Sequence, residues 1–301
     1  MPSVKQKGFC LQKRAYFTKY RLKSLIGKDL SITSPSPARP ERLGSAGMAY
    51  NFTVARYALI GSPVSHSLSP LIMERLGLSY NAHEVLPGKV DAFLQNEAPH
   101  LDGFNVTSPL KEEIIPFMAS LSPEAWEIRG VNCAARKGDS WEGHNTDYLG
   151  ILVAIDYLGL TPEKALVLGT GPGARSAAFA LARMGAKSTM VSRKPGSGRL
   201  TWNQLGTDPL EGYGLVINAT PPGTVSLPAR HLGPHNFVLD MNYGERANGI
   251  RTAVAGTSAG YSDGLPVLLG QAAGSLEIWI GGDSGDWRER VFSAARELGL
   301  L

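Results

Sequence analysis

Residues 164–175 read Lys164-Ala165-Leu166-Val167-Leu168-Gly169-Thr170-Gly171-Pro172-Gly173-Ala174-Arg175. A short apolar run ends in glycines at alternate positions and passes into a stretch rich in small residues, Ala174 to Met184. The apolar run reads as a buried strand, and the small residues read as a helix packed closely on it. Glycines in such a turn let the backbone approach a pyrophosphate. The helix N-terminus then offers free N–H groups and the positive end of its dipole. The same pattern also fits a plain strand-to-helix turn, so the surrounding sequence has to support the nucleotide reading.

Outward from this stretch, short apolar runs alternate with helical patterns. Strands are predicted at 55–60, 82–86, 102–107, 131–135, 164–168, 187–192, 214–219 and 235–240. Helices are predicted at 70–77, 110–119, 147–158, 173–184, 265–280 and 286–298. Strands alternating with helices indicate βαβ units and an α/β fold with largely parallel sheets. The best boundary between two domains falls near residue 150. That gives a substrate-binding catalytic domain over 48–149, with the helices of 265–301 packing back on it. A Rossmann-type dinucleotide domain spans 150–264.

The end of the strand after the glycines selects the nucleotide. An acid there would hold a ribose 2′-hydroxyl. This chain has Val191-Ser192-Arg193-Lys194 instead, with Arg199 nearby. Arg193 and Lys194 suit a 2′-phosphate, so the expected cofactor is NADP; a solvated basic loop is the alternative. The turn Asn218-Ala219-Thr220-Pro221-Pro222-Gly223 also follows a strand, where cofactor contacts are made in doubly wound sheets, although a structural turn fits equally.

In the first half, His66-Ser67-Leu68-Ser69-Pro70 follows the first strand. Two hydroxyls in an extended segment at a helix start suit a carboxylate, and Ser69 alternatively caps the helix. Asn105 and Thr107 end a strand before Pro109-Leu110-Lys111. A lysine in the first turn of a helix opposes the dipole, which marks Lys111 as a proton-transfer candidate rather than an ordinary surface lysine. His144-Asn145-Thr146-Asp147 precedes the helix that joins the halves. Asp147 either pairs with Lys111 or caps that helix.

The 301 residues carry a net charge of +4. Of 30 basic and 26 acidic residues, ten and two lie in 1–47, a net +8 there and −4 beyond. The basic character therefore belongs to an N-terminal extension with a Ser/Pro/Gly-rich end, expected to be disordered. A dispensable tail or an upstream start before Met48, a transit peptide and a tail for an acidic partner all fit it. No nucleic-acid or membrane partner is expected for the body. Cys10 and Cys133 form no framework, and the six histidines show no ligand spacing. A reducing cytoplasmic setting without a metal follows.

The motifs GSPVSHSLSP (61–70), NVTSPLKEE (105–113), GVNC (130–133), GHNTD (143–147), GTGPGAR (169–175), INATPPG (217–223), LDMNY (239–243) and DGLPVLLGQAA (263–273) together resemble shikimate dehydrogenases over about residues 54–281. The resemblance implies NADPH-dependent reduction of 3-dehydroshikimate to shikimate, in the route to aromatic amino acids, by a monomer or homodimer. It implies that Ser67 and Ser69 hold the substrate carboxylate. Thr107, Asn132 and Gln271 hold the ring with Lys111 and Asp147, the catalytic pair, and Tyr243 lies nearby. Gly169, Gly171, Gly173, Ala174, Ser192, Arg193, Lys194, Thr220 and Gly264 fall at the cofactor. Related alternatives are a quinate/shikimate dehydrogenase using NAD, an aminoshikimate dehydrogenase, or a non-catalytic metabolite sensor. Departures from the family pattern are Cys133 for a threonine, Val267 for a methionine, the segment after Tyr243, and a short 194–213, which implies a trimmed nucleotide domain.

Overall fold

The computed structural model describes residues 56–301 apart from 197, 206–209 and 225–226. The readings of residues 1–47 lie outside the described residues.

In chain order the first half holds β1 (Arg56–Gly61), α1 (Ser69–Arg75), β2 (Ser79–Glu84), α2 (Val90–Asn96), β3 (Gly103–Val106), β4 (Ser120–Leu121), α3 (Pro123–Ile128), β5 (Cys133–Lys137) and β6 (Ser140–His144). These strands form one six-stranded sheet, β2-β1-β3-β5-β6-β4. β1 is parallel to both neighbours, whereas β3, β5 and β6 pair antiparallel. After α4 (Asp147–Tyr157) come β7 (Lys164–Leu168), α5 (Pro172–Arg183), β8 (Lys187–Ser192), β9 (Arg199–Thr201), α6 (Trp202–Leu205), β10 (Leu215–Asn218), β11 (Phe237–Asp240), α7 (Asn248–Ala255) and β12 (Gly260–Ser262). They build an all-parallel sheet, β12-β11-β10-β7-β8-β9, with its switch point between β7 and β10. That is the doubly wound order in which ligands sit outside the strand carboxyl ends.

The chain returns through α8 (Leu265–Ile280) and α9 (Ser284–Glu297). Both sheets are covered on two faces, which is why their central strands read as continuous apolar runs. In β1, Ala58 and Ile60 face a core with Val90, Phe93, Phe104, Leu110 and Ile114. Tyr57 and Leu59 face the opposite core with Leu269, Leu276, Val291 and Phe292 from α8 and α9. The described residues from Arg56 to Leu301 therefore cohere as one compact unit. Glycine permits the key crossing. An ideal Cβ on Gly150 of α4 would lie 2.3 Å from Val267 O of α8, and one on Gly270 would lie 2.9 Å from Gly150 Cα.

The structure corrects several expectations. No α-helix forms over 110–119. Turns linked by Leu110 N–H to Thr107 O and Ile114 N–H to Leu110 O lead into a short 3-10 turn, Ile115–Phe117. Pro116 lacks the N–H a helix would need there and biases Ile115 away from helical geometry. The dipole argument for Lys111 lapses with that helix. Ser67 and Ser69 do not share an extended segment. Ser67 N–H donates to Val64 O in a turn, and Ser69 N–H donates to Ser67 Oγ at 3.2 Å. Leu68, not Ser69, occupies the cap position of α1. Thr146 occupies the cap of α4 without a capping side-chain bond, which leaves the Asp147 carboxylate free for other work. The described part of 194–213 holds the three-residue β9 followed by the four-residue α6, in place of a full helix and strand.

Candidate active site

The site starts where β3 and β6 end and where β5 and α4 begin. Lys111 projects from the turn after β3, and its main-chain O accepts from Val131 N–H at 2.8 Å. Its Nζ lies 2.6 Å from Asp147 Oδ2, both side chains being largely buried. Asn132 Nδ2 donates to the other Asp147 oxygen at 2.9 Å and to Thr146 Oγ1 at 2.9 Å. Asn132 Oδ1 accepts from Thr146 N–H at 2.5 Å, which fixes the amide's orientation. Gln271 of α8 approaches Asn132 Nδ2 at 3.4 Å. Lys111, Asn132, Asp147 and Gln271, four of the residues selected from sequence, are thus brought together.

Behind them lies a second layer, of which the sequence reading named only Asn105. Asn105 Nδ2 donates to Ser275 Oγ at 2.8 Å and to Asn132 O at 3.1 Å, and its Oδ1 accepts from Tyr80 OH at 2.9 Å. Ser275 Oγ stands 3.2 Å from Thr146 Oγ1. Burial pushes the Tyr80 hydroxyl well above the ordinary range, with a bond from Ser69 acting the other way. Tyr80 reaches the Asn132 end of the site through Asn105, as a protonated donor. Buried polar groups joined in this way hold one geometry. Tyr80 and Ser275 carried no signal in sequence, because a lone tyrosine or a serine in an apolar helix reads as packing.

Thr107 sits where Gly61 lacks a side chain: a Cβ there would lie 2.3 Å from Thr107 Cγ2. Tyr243 is half-buried, with its ring centroid 6.5 Å from that of His66, the neighbour of Ser67. Cys133 is sealed in β5, and burial pushes its thiol up to about 12, which keeps it an uncharged packing group. Val267 is buried in the core between α4, α5 and β7.

The glycine turn fits a dinucleotide. Gly169 has φ +112°, a backbone state suited to glycine, and a Cβ there would press on Ala219 O and Thr220 at 3.3 Å. Gly171 is the cap of α5 with no side-chain capping bond, so the first-turn N–H groups of Gly173 and Ala174 remain for a ligand. A Cβ on Gly171 would meet nothing within 4 Å. Thr220 lies across the switch point; its N–H and Oγ1 both donate to Asn218 Oδ1. Ser192 ends β8 and donates to Lys194 O. Arg193 and Lys194 are exposed, with no partner among the described residues, and no acid stands beside them. A set of two free cations matches a 2′-phosphate. Gly264 caps α8 and packs against backbone; a Cβ there would lie 2.4 Å from Met241 O.

The two halves meet through Asn145. Its Nδ2 donates to Gly130 O at 2.8 Å, and its Oδ1 accepts from Asp147 N–H and from Ser176 Oγ of α5. The lysine–aspartate pair is therefore one residue from a direct link to the dinucleotide helix. Among the described residues no cluster of His, Cys, Asp or Glu suits a metal, and no helix is long and apolar enough to cross a membrane.

Residues 59–134 match the family model of the shikimate dehydrogenase substrate binding domain. The shikimate dehydrogenase (NADP(+)) of Aeropyrum pernix is 35% identical over 255 residues, 75% of this chain and 92% of that protein. The enzyme of the same name from Staphylococcus aureus is 31% identical, covering 76% and 94%. The crystal structure of shikimate dehydrogenase from Aquifex aeolicus superimposes with a TM-score of 0.68 at 29% identity, over 81% of this chain and 99% of that one. Shikimate 5-dehydrogenase from Thermus thermophilus, solved with NADP(H) and shikimate, gives a TM-score of 0.65 at 29% identity, over 80% and 99%. Identity of this level over three quarters of the sequence, carried on the same fold, means that the chain belongs to the shikimate dehydrogenase family.

Proposed function

We propose that this protein catalyses the NADP-dependent, reversible reduction of 3-dehydroshikimate to shikimate. The observation that carries the reading is the buried Lys111–Asp147 pair, gripped by Asn132 at the seam between the two halves. The relatives' names and the Thermus thermophilus complex supply the substrate and cofactor.

NADPH, when bound, supplies the hydride. The residues of this chain bind the substrate, orient it and move one proton. Ser67 and Ser69 receive the carboxylate, with Tyr243 beside them. Thr107, Asn132 and Gln271 orient the ring hydroxyls. The Lys111 ammonium delivers a proton to the developing alkoxide, and in the reverse direction the amine takes it back. Asp147 holds the ammonium in place and accepts from a neighbouring hydroxyl. Gly169, Gly171, Gly173, Ala174, Thr220 and Gly264 line the cofactor turn. Ser192, Arg193 and Lys194 take the adenosine 2′-phosphate.

In this reading the substrate half is 48–149 together with 265–301, and the NADP half is 150–264. The protein works in a reducing cytoplasm as a monomer or homodimer, without nucleic acid or membrane. The free cations after β8 speak against an NAD-dependent quinate enzyme, and the intact Lys111–Asp147 pair speaks against a sensor. An absorbance assay of cofactor reduction, with shikimate and quinate each offered NADP and NAD, tests all of this. Turnover with shikimate and NADP is expected to dominate. Equal rates with NAD, or no turnover, would overturn the reading.

A further inference from the structure

Arg175 lies in the first turn of α5, directly after the glycine turn. A cation there opposes the helix dipole, so packing α5 does not explain it. Its guanidinium is committed in two directions. Toward the nucleotide half, Nη1 donates to Thr170 O in the glycine turn at 3.0 Å. Toward the substrate half, Nε donates to Ile128 O at 2.6 Å and Nη2 to Arg129 O at 2.9 Å, both at the C-terminal end of α3. Nη2 also reaches Glu112 Oε1 at 2.5 Å, on the residue next to Lys111. The contact is tight, because a Cβ on Gly130 would lie 2.9 Å from Pro172 Cβ.

The Lys111–Glu112 segment is thereby held from two sides. Its main chain is tied to Val131, and its side chain is tied to an arginine that also grips the glycine turn. Glu112 is 59% exposed, so its ion pair adds little to stability. What the arrangement provides is a mechanical link. Only a planar fork of fixed donors reaches these oxygens together; a lysine ammonium does not.

We propose that Arg175 is a positioning residue that couples the dinucleotide turn to the placement of Lys111, so that cofactor and substrate bind cooperatively. This rests on the reading of the two sites given above. Phosphates settling on the glycine turn fix Thr170, the guanidinium follows, and Glu112 and Lys111 are held in register.

The test is calorimetric titration of 3-dehydroshikimate into the full chain, with and without saturating NADP+. Both ligands are oxidised, so no turnover occurs. The wild type is expected to bind at least about fivefold more tightly with NADP+, the low end of ordinary coupling between sites. R175Q is expected to reduce that ratio below about twofold while each ligand alone binds within about threefold of wild type. R175K, which keeps the charge and loses the fork, should behave like R175Q, an outcome that a role in charge balance alone would not give. E112Q, at an exposed position, should lower the ratio part of the way. A wild-type ratio in R175Q overturns the proposal. If R175Q does not fold, an unchanged ratio in E112Q overturns it instead. A wild type that binds 3-dehydroshikimate without any coupling also overturns it, whereas no binding at all overturns the functional reading beneath it.

Discussion

Lys111 Nζ stands 2.6 Å from Asp147 Oδ2 across 36 residues of sequence and three strands of the sheet. The pair is buried, and Asn132 satisfies the second carboxylate oxygen. Removing the ammonium takes away both the proton and the partner of a desolvated carboxylate. K111A is expected to lower kcat with shikimate by at least about a hundredfold, the scale of a lost general acid–base group. D147N should also lower kcat, because the lysine loses the acceptor that aims it. Circular dichroism establishes that each variant folds. A folded K111A within about threefold of wild type would remove Lys111 from the reaction.

How far this was legible in sequence differs from residue to residue. β7, the glycine turn and α5 were readable because an apolar run, glycines and small residues each have a local cause. Strand β8 and helix α8 were placed to the residue for the same reason. β6 was missed although Lys137-Gly138-Asp139-Ser140 forms a two-residue hairpin; its alternation runs through Gly143 and is diluted by it. α3 was missed although Ser122 caps it through Ala125 N–H and Pro123 opens it. The region after β3 was misread because Pro109 looked like a helix start while Pro116 was overlooked. The Lys111–Asp147 contact stood in sequence only beside a helix-cap role for Asp147, and the family motifs alone chose between them. No local pattern says that three strands and a short helix bring those residues within bonding distance.

If the exposed side chains of Arg193 and Lys194 take the 2′-phosphate, as proposed, they set the cofactor preference. Hydrogen bonds to a charged group contribute about 1.5–3 kcal/mol each, so losing one weakens binding roughly tenfold or more. R193A should raise KM for NADP by about tenfold and K194A by somewhat less, with kcat nearly unchanged. KM for NAD, which lacks the 2′-phosphate, should hardly move in either variant. Steady-state kinetics with both cofactors check this. Equal changes for NADP and NAD would mean that these residues contact something other than the 2′-phosphate.

Asn105 holds the polar layer behind the site. It is only 4% exposed and serves Tyr80, Ser275 and Asn132 at once. N105L leaves the buried Tyr80 hydroxyl without its acceptor, at a cost of about 1–3 kcal/mol, and strips one of two donors from Asn132 O, which keeps Val106 N–H. Urea denaturation should show a loss of about 2 kcal/mol or more, and kcat/KM should fall as Asn132 loses its support. A loss below about 0.5 kcal/mol would mean that water replaces the amide and the layer does not depend on Asn105.

His144 ends β6 one residue before Asn145 and is mostly buried. Burial lowers its pKa below the ordinary 6.5, with Lys137 acting in the same direction and Glu142 and Glu124 against it. The unfolded chain therefore takes up a proton in a window below pH 6.5 where the native protein does not. Stability is full above that window and is lost as pH falls through it toward the folded value. H144N removes this dependence, so its Tm should fall less than that of wild type between about pH 7 and pH 5.5. His66, lowered by burial and by Arg246, acts with the same sign and leaves some slope in the variant. Asp240 and Glu277, whose carboxyls burial pushes up, act with the opposite sign in both proteins. They cancel in the difference between H144N and wild type. Scanning calorimetry across this range measures that difference. Parallel Tm curves would mean that His144 titrates in the native protein as it does in the unfolded chain.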